Sequence, residues 1–306
     1  MRILFMGTPE FAVSSLRRLK ESGHEICGVF TQPDKPKNRG HKMAISPVKE
    51  YALSQGIAVF QPEKMRSGEA LSIVRALAPE LIVVAAYGRI LPEEILQAPP
   101  FGAINVHASL LPRHRGASPV NQAILQGDTV TGVTIMYMAK ELDAGDMLLC
   151  RSTPIDPEED AATLMARLAP IGAEALCEAV DAIAAGTAVR MPQPADGVTY
   201  APLLSRELSP VDWQNSAQTI HDQIRGLIPW PCAVTELGGV RLKLFASTVC
   251  GDTCAAAGTV ISATKRGIEV ACGDGHTLLI TEVQPEGGKR MTSGAYLAGH
   301  PMQVDV

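Results

Sequence analysis

Between Ile104 and Pro119 the chain reads INVHASLLPRHRGASP, with Asn105 and His107 two residues apart at the end of an apolar run. Side chains two apart on a strand point to the same side, so both would reach one crevice. Thirty-six residues after the histidine, KELDAGDMLL places Asp143 before an Ala-Gly pair. An asparagine amide donates to a developing oxyanion without carrying charge. A carboxylate near an imidazole orients its tautomer and supports the imidazolium. Asn, His and Asp together therefore suit addition of a nucleophile to a carbonyl. No serine or cysteine is compellingly placed as a covalent nucleophile, so direct attack by a substrate amine is a chemistry the set allows. Each feature alone has a plainer use, since polar pairs at strand ends are commonly structural and aspartates commonly start turns. Arg113, His114 and Arg115 follow the pair. Such a cluster is either a solvated face or the mouth of a site for an anionic substrate.

These residues need a scaffold that brings distant strand ends together. RILFMG (2–7), EICGVFT (25–31), IAVFQP (57–62), LIVVAAYG (81–88), GAINVHAS (102–109) and GVTIMYMA (132–139) read as strands. LIVVAAYG is continuously apolar, as a strand covered on both faces should be. Helical stretches fill 9–19, 45–55, 68–77, 92–97, 118–126 and 159–185. Thr8 is placed to cap the first of these, with Pro9 at its first position. Strands alternating with helices predict an α/β fold with a mostly parallel, doubly wound sheet. Ligands bind such sheets beyond the carboxyl ends of the strands. Gly7, Gly88 and the segments after Val106 and Met138 are expected at those ends, lining one crevice. Gly7 stands alone in FMGTPEF, without the three glycines of the dinucleotide fingerprint, so a nicotinamide dehydrogenase is disfavoured.

After Ala185 the texture changes. Residues 186–213 are rich in proline and glycine and read as a linker, and SAQTIHDQIRG (216–226) reads as a short helix. CAVTEL, VRLKLFAS, AGTVISAT, GIEVACG and HTLLITEVQP then predict a small all-β barrel or sandwich. The organisation expected is a catalytic domain over 1–186, a linker over 187–207 and a β domain over 208–306.

The 306 residues carry a net charge of -5, which argues against bulk attraction to nucleic acid but leaves room for a local basic patch. Seven cysteines are scattered mostly inside apolar runs, and Cys250 and Cys254 lack a second pair to build a zinc site. They are read as reduced, in a cytoplasmic protein. The opening MRILFMGTPEF lacks the features of a signal peptide, and no run is long enough to span a bilayer.

Eight stretches carry a resemblance. FMGTPEFA (5–12), GVFTQPDKPKNRGHKMAISPVK (28–49), VVAAYGRILP (83–92), NVHASLLPRHRGASP (105–119), TGVTIMYMAKELDAGDML (131–148), GVTYA (197–201), IRGLIPWPCA (224–233) and VQPEGGKRM (283–291) resemble the methionyl-tRNA formyltransferases, a branch of the folate-dependent formyltransferase family. NVHASLLPRHRGA with LDAGDM marks the wider group, and the 28–49 stretch with IRGLIPWP marks the tRNA-specific branch. The resemblance implies a Rossmann-like catalytic domain followed by an OB-like barrel that helps hold tRNA. It implies formyl transfer from 10-formyltetrahydrofolate, a co-substrate, to the α-amino group of methionine on initiator tRNA. No metal and no NAD are implied, and a monomer is expected.

By the matching positions, Asn105 and His107 would stabilise the oxyanion, while Asp143 would orient His107 and help move protons. The folate pocket would involve Ile90 and Leu91, then Ser109, Leu110, Leu111 and Pro112 of the SLLP signature, and Met138, Glu141, Leu142 and Gly145 of the 138–145 loop. The 32–49 stretch corresponds to an inserted loop approaching the acceptor end of the tRNA. Its Lys35, Lys37, Lys42 and Lys49 would meet phosphate, and Arg39 would sense the unpaired first base pair.

Two departures from the family pattern stand out. Leu203 occupies a linker position where members commonly carry lysine, with Arg206 nearby as a substitute. Residues 206–306 also hold 8 Lys and Arg against 10 Asp and Glu, so a tRNA-binding face must come from clustering. Lys243, Lys265, Arg266, Lys289 and Arg290 are the expected members. The alternatives are a formyltransferase acting on an amino sugar or nucleotide, a hydrolase releasing formate from the same folate, and a non-catalytic RNA-binding relative. The barrel, the basic loop and IRGLIPWP weigh against the first two, and the intact Asn-His-Asp set weighs against the third.

Overall fold

The computed structural model describes residues 1–37 and 42–304. The chain forms two compact units: Met1–Pro119, Val130–Pro154 and Met165–Ala201 in the first, and Val120–Thr129, Ile155–Leu164 and Pro202–Val306 in the second. The elements begin with β1 (Arg2–Gly7), α1 (Glu10–Glu21), β2 (Glu25–Phe30), β3 (Lys35–Lys37), β4 (Lys42–Ala44), α2 (Pro47–Ser54), β5 (Val59–Phe60) and α3 (Glu69–Leu77). Then follow β6 (Leu81–Ala85), α4 (Glu93–Leu96), β7 (Ala103–His107), β8 (Arg115–Gly116), α5 (Pro119–Leu125), β9 (Val130–Tyr137), β10 (Met147–Pro154) and α6 (Ala161–Ala184). The chain ends with β11 (Tyr200–Ala201), α7 (Ala217–Gly226), β12 (Ala233–Leu237), β13 (Val240–Asp252), β14 (Val260–Thr264), β15 (Gly267–Ala271), β16 (His276–Pro285), β17 (Met291–Thr292) and α8 (Ser293–Gly299).

The main sheet of the first unit has seven strands in the order β10-β9-β7-β6-β1-β2-β5. The five from β7 to β5 are parallel, as the alternation of strands and helices predicts. Every residue of LIVVA in β6 is buried, consistent with cover on both faces. Gly7 is required by close approach: a Cβ there would lie 2.7 Å from the Ala12 Cβ and 2.9 Å from the Ala85 carbonyl oxygen. The glycine thus packs the first turn of α1 against β1. Thr8 does not cap that helix. Its hydroxyl donates to the Tyr87 carbonyl at 3.1 Å, tying the exit of β1 to that of β6, and Pro9 is the N-cap.

The last two strands depart from the expected parallel order. β9 runs antiparallel to β7, with Ile104 opposite Tyr137 and His107 opposite Thr134. The segment after Met138 therefore leaves at the amino-terminal edge of β7, not at the edge where His107 sits. Two physical reasons account for it. Residues 120–129 of the intervening connection cluster with the second unit, so α5 does not act as the crossover helix that a parallel pair needs. The apolar run after Gly145 is also a full strand, β10, returning beside β9 as a hairpin.

In the second unit a six-stranded antiparallel sheet runs β12-β13-β16-β15-β14, with β17 on β16. Its core joins Leu242, Leu244, Ile268, Val270, Leu278 and Ile280 to Ile220 and Ile224 of α7 and Tyr296 of α8. Alternation in β12, with Ala233, Thr235 and Leu237 buried, shows the period-2 pattern that predicts such strands. Ser216 caps α7 by accepting from the Thr219 amide at 3.1 Å. The arginine of IRGLIPWP is structural: Arg225 and Asp222 form a buried pair at 2.7 Å, and Arg225 donates to the Glu159 carbonyl at 2.9 Å. All seven cysteines are free thiols, and among the described residues no helix is long and apolar enough to cross a membrane.

Candidate active site

His107 closes β7 with only 4% of its surface exposed. Its Nε2 lies 2.9 Å from the His114 carbonyl oxygen, which can only accept, so Nε2 carries its proton. The ring is therefore oriented by backbone from the adjoining loop, and Nδ1 is left for chemistry. Asp143 Oδ2 stands 3.7 Å from Nδ1, too far for a hydrogen bond but close for a charge. Burial pushes the imidazole below its ordinary pKa, and the Asp143 charge and the bond to His114 oppose that fall. The result is a neutral ring at neutral pH whose imidazolium is nonetheless supported. Asn105, two residues back and partly exposed, presents its amide on the same side of the strand. Among the described residues that amide has no hydrogen-bond partner, so its donors are available to a ligand oxygen.

Although β9 ends at the opposite edge of the sheet, the loop after it folds back far enough to deliver Asp143. Its carboxylate accepts from the Gly116 amide at 2.8 Å. Asp143 itself adopts φ 47 and His114 φ 58, left-handed conformations that cost energy in residues other than glycine. Gly145 lets the loop leave β9, because a Cβ there would fall 1.9 Å from the Tyr137 carbonyl oxygen. Gly116 has φ 121, and a Cβ on it would sit 2.6 Å from the Ala201 carbonyl oxygen.

The segment expected to be a plain linker contributes directly to this site. Arg115 donates its amide to the Thr199 carbonyl at 2.9 Å, and β11 pairs in parallel with β8. The His114 amide donates to the Thr199 hydroxyl at 2.8 Å. Met191 and Met147 exchange backbone hydrogen bonds, and the Arg190 guanidinium lies 3.7 Å from the centre of the Tyr137 ring. Gln193 donates to the carbonyls of Asp143 at 2.7 Å and Gly145 at 2.9 Å, and accepts from Arg115. Sequence reasoning missed Gln193, which lies in a stretch without periodicity. GVTYA, which contains Thr199, was the only signal there. Thr134 was also missed; its hydroxyl accepts from the Leu111 amide at 3.1 Å and donates to the Ser109 carbonyl at 2.7 Å, bracing the SLLP turn from β9.

The residues expected around a folate fall into two sets. Ser109 and Leu111 are buried beside His107 in sequence, with the Ser109 hydroxyl spent on the Arg113 carbonyl at 2.7 Å. Leu110 and Pro112 are partly buried in the same turn, and Leu91 is buried. Ile90 and Leu142 are large apolar side chains left 81% and 61% exposed, and Glu141 is exposed beside Leu142. Met138 lines a cavity of about 460 Å³ with Leu96, Ala103, Tyr137 and Arg190, which does not include the other expected residues. Among the described residues no group of three or more His, Cys, Asp or Glu is placed to hold a metal.

Of the basic loop, Lys35 and Lys37 lie on β3 and Lys42 on β4 of a hairpin, while Arg39 lies outside the described residues. Lys49 is committed to Asp34 and Gln61 at the base of the loop, and its hydrogen bond holds the Asp34 carboxyl below the usual range. In the second unit Lys243 lines a groove of about 770 Å³ with Arg206, Arg241 and the half-exposed Trp230. Lys265, Arg266, Lys289 and Arg290 do not line it. Arg290 pairs with Glu282 and lies over the Phe245 ring, and Lys265 and Arg266 form the turn from β14 to β15. Leu203, where the family pattern has lysine, is 78% exposed.

The chain is a formyl transferase by family: the family described as "Formyl transferase" matches residues 1–180, and "Formyl transferase, C-terminal domain" matches 203–301. The methionyl-tRNA formyltransferase of Trichlorobacter lovleyi is 52% identical over 303 residues, covering 99% of this chain and 95% of its own. That of Bacillus subtilis is 48% identical over 299 residues, covering 97% and 94%. The chain belongs to the methionyl-tRNA formyltransferase family. Among solved structures, HypX from Aquifex aeolicus in complex with tetrahydrofolic acid superposes with a TM-score of 0.69 at 19% identity, over 100% of this chain and 48% of that one. WlaRD, a sugar 3N-formyl transferase, gives 0.70 at 17% identity, over 93% and 97%. At that identity they share the fold.

Proposed function

We propose that the chain transfers a formyl group from 10-formyltetrahydrofolate to the α-amino group of methionyl initiator tRNA, acting as a cytoplasmic monomer. The observation that carries the chemistry is the buried His107, with Nε2 committed to backbone and Nδ1 facing Asp143, and with Asn105 two residues back on the same side of the strand. When bound, the folate supplies the formyl carbon. Asn105 donates to the formyl oxygen as negative charge gathers there. His107, neutral through burial, accepts at Nδ1 the proton that the attacking amine must lose, directly or through water. Asp143 holds the resulting imidazolium and lets the proton pass on to the departing nitrogen. The exposed Leu142 and Ile90 suit an apolar ring system, and the SLLP turn supplies backbone groups beside it.

The tRNA assignment rests on the close relatives and on the second unit. The groove with Arg206, Arg241, Lys243 and Trp230 offers cations for phosphate and one indole for a base, and the 32–49 loop offers further lysines. Arg39 is proposed to read the first base pair of the acceptor stem. Formyl transfer to charged initiator tRNA, charged elongator tRNA and a nucleotide-linked amino sugar tests the reading. The initiator is expected to win by a wide margin, with Arg39→Ala narrowing its lead over the elongator. Transfer to the sugar amine alone would overturn it.

A further inference from the structure

The trio's carboxylate comes from a loop that starts at the wrong edge of the sheet, so something other than the strand must set its position. Four features hold the loop. The Tyr137 amide donates to the Asp146 carbonyl at 2.8 Å, Met147 bridges to Met191, the Gly116 amide holds the Asp143 carboxylate, and the Gln193 amide binds two carbonyls of the loop, those of Asp143 and Gly145. Only the last reaches the backbone of Asp143 itself. It does so at 2.7 Å, and the same side chain takes two hydrogen bonds from the Arg115 guanidinium, at 3.1 and 2.7 Å. Arg115 in turn belongs to the loop whose His114 carbonyl orients His107. One amide therefore spans the two loops that carry the two halves of the proton relay. An amide suits this place because it combines donors and an acceptor. A carboxylate would repel the two carbonyls, and an ammonium would repel Arg115.

We propose that Gln193 is a positioning residue for formyl transfer, fixing Asp143 against Nδ1 of His107 by clamping the 143–145 loop to Arg115. The inference rests on the formyl-transfer reading of the same site. It makes the 190–201 segment a working part of the active site, and it gives Arg115, one of three neighbouring side chains left without a role by the sequence, an intramolecular task. Loss of the clamp leaves Asp143 held by Gly116 alone at its side chain. Its carboxylate then spends time away from Nδ1, and the imidazole loses part of the charge that opposes its burial.

The test uses the full chain with Gln193→Met, neutral and similar in length, and Arg115→Met, which removes the guanidinium but keeps the amide. Gln193 is partly exposed, so neither change opens the core, and thermal unfolding of each variant is compared with wild type. Single-turnover formyl transfer and an NMR titration of the His107 ring are then measured. For Gln193→Met the expected result is a kcat lower by about 10- to 100-fold, with KM for folate and tRNA within about threefold, as for a misplaced catalytic group. The His107 titration should move to lower pH. Arg115→Met should give the same two changes at smaller size. A kcat within twofold of wild type in Gln193→Met overturns the proposal, and so does a kcat loss with an unmoved His107 titration. A wild-type chain without formyl transfer would instead overturn the functional reading, while the NMR shift would still report on the clamp.

Discussion

Asp143→Asn removes the charge facing His107 while preserving the shape of the side chain and an oxygen for the Gly116 amide. The two groups are 3.7 Å apart, and their side chains are only 5% and 13% exposed. At an effective dielectric of about 20, unit charges at that distance attract by about 4 kcal/mol. That attraction exists only while the imidazole is protonated, so it favours the state in which His107 has taken the amine proton. If between two thirds and all of it acts at the transition state, the expected loss in kcat is about 100- to 1,000-fold. The assay is single-turnover transfer of labelled formyl under saturating folate and tRNA, with KM for both followed in parallel. Because the carboxylate faces the Gly116 amide and the His107 ring, KM should stay within about threefold. The His107 ring should also titrate at lower pH in the variant. A kcat within tenfold of wild type, together with an unchanged His107 titration, would show that the charge does not act on the ring.

Three further outcomes follow from the geometry. Arg225→Met leaves Asp222 charged and buried without its partner, and should lower the unfolding free energy of the chain by about 3–5 kcal/mol; a change below about 1 kcal/mol in a denaturant titration contradicts the structural reading of IRGLIPWP. Gly145→Ala pushes a methyl group into the Tyr137 carbonyl, so the loop must shift; kcat should fall by more than about tenfold with tRNA affinity retained, and full activity would show that the loop tolerates the displacement. His107 titrates below its unfolded value of about 6.5 in the native chain, so the unfolded state binds the proton first. Its contribution to stability is complete above about pH 6.5 and is lost as pH falls through the native value. His107→Asn should flatten the stability–pH curve in that window, and an unaltered curve would contradict the burial argument.

Much of the site was legible because its residues obey simple periodicities. Asn105 and His107 stand two apart after a fully apolar run, which places them on one side of a strand end. The continuous apolarity of LIVVAAYG and the helix-strand alternation likewise imply the parallel part of the sheet. The direction of β9 was not legible. Alternation implies a crossover only when the helix packs on the sheet, and residues 120–129 cluster elsewhere. Gln193 was hidden for a different reason: its partners are backbone carbonyls, which have no residue type to read, and its neighbours are prolines and glycines without a repeat. Arg225 shows the converse limit, since a conspicuous basic residue in a family motif is buried against Asp222 and two backbone carbonyls. Short pieces such as β17 and α8 depend on packing against β16 and lack a pattern long enough to find.

On the proposed mechanism Asn105 serves the formyl oxygen and His107 the proton of the attacking amine, and neither holds tRNA. This is tested most directly by measuring single-turnover formyl transfer and tRNA affinity side by side for Asn105→Ala and His107→Ala. The expected result is a rate loss of about 100- to 1,000-fold for the amide donor and at least as much for the imidazole, with the dissociation constant for methionyl initiator tRNA within about threefold of wild type. Rates within tenfold of wild type, or a loss confined to tRNA affinity, would contradict it.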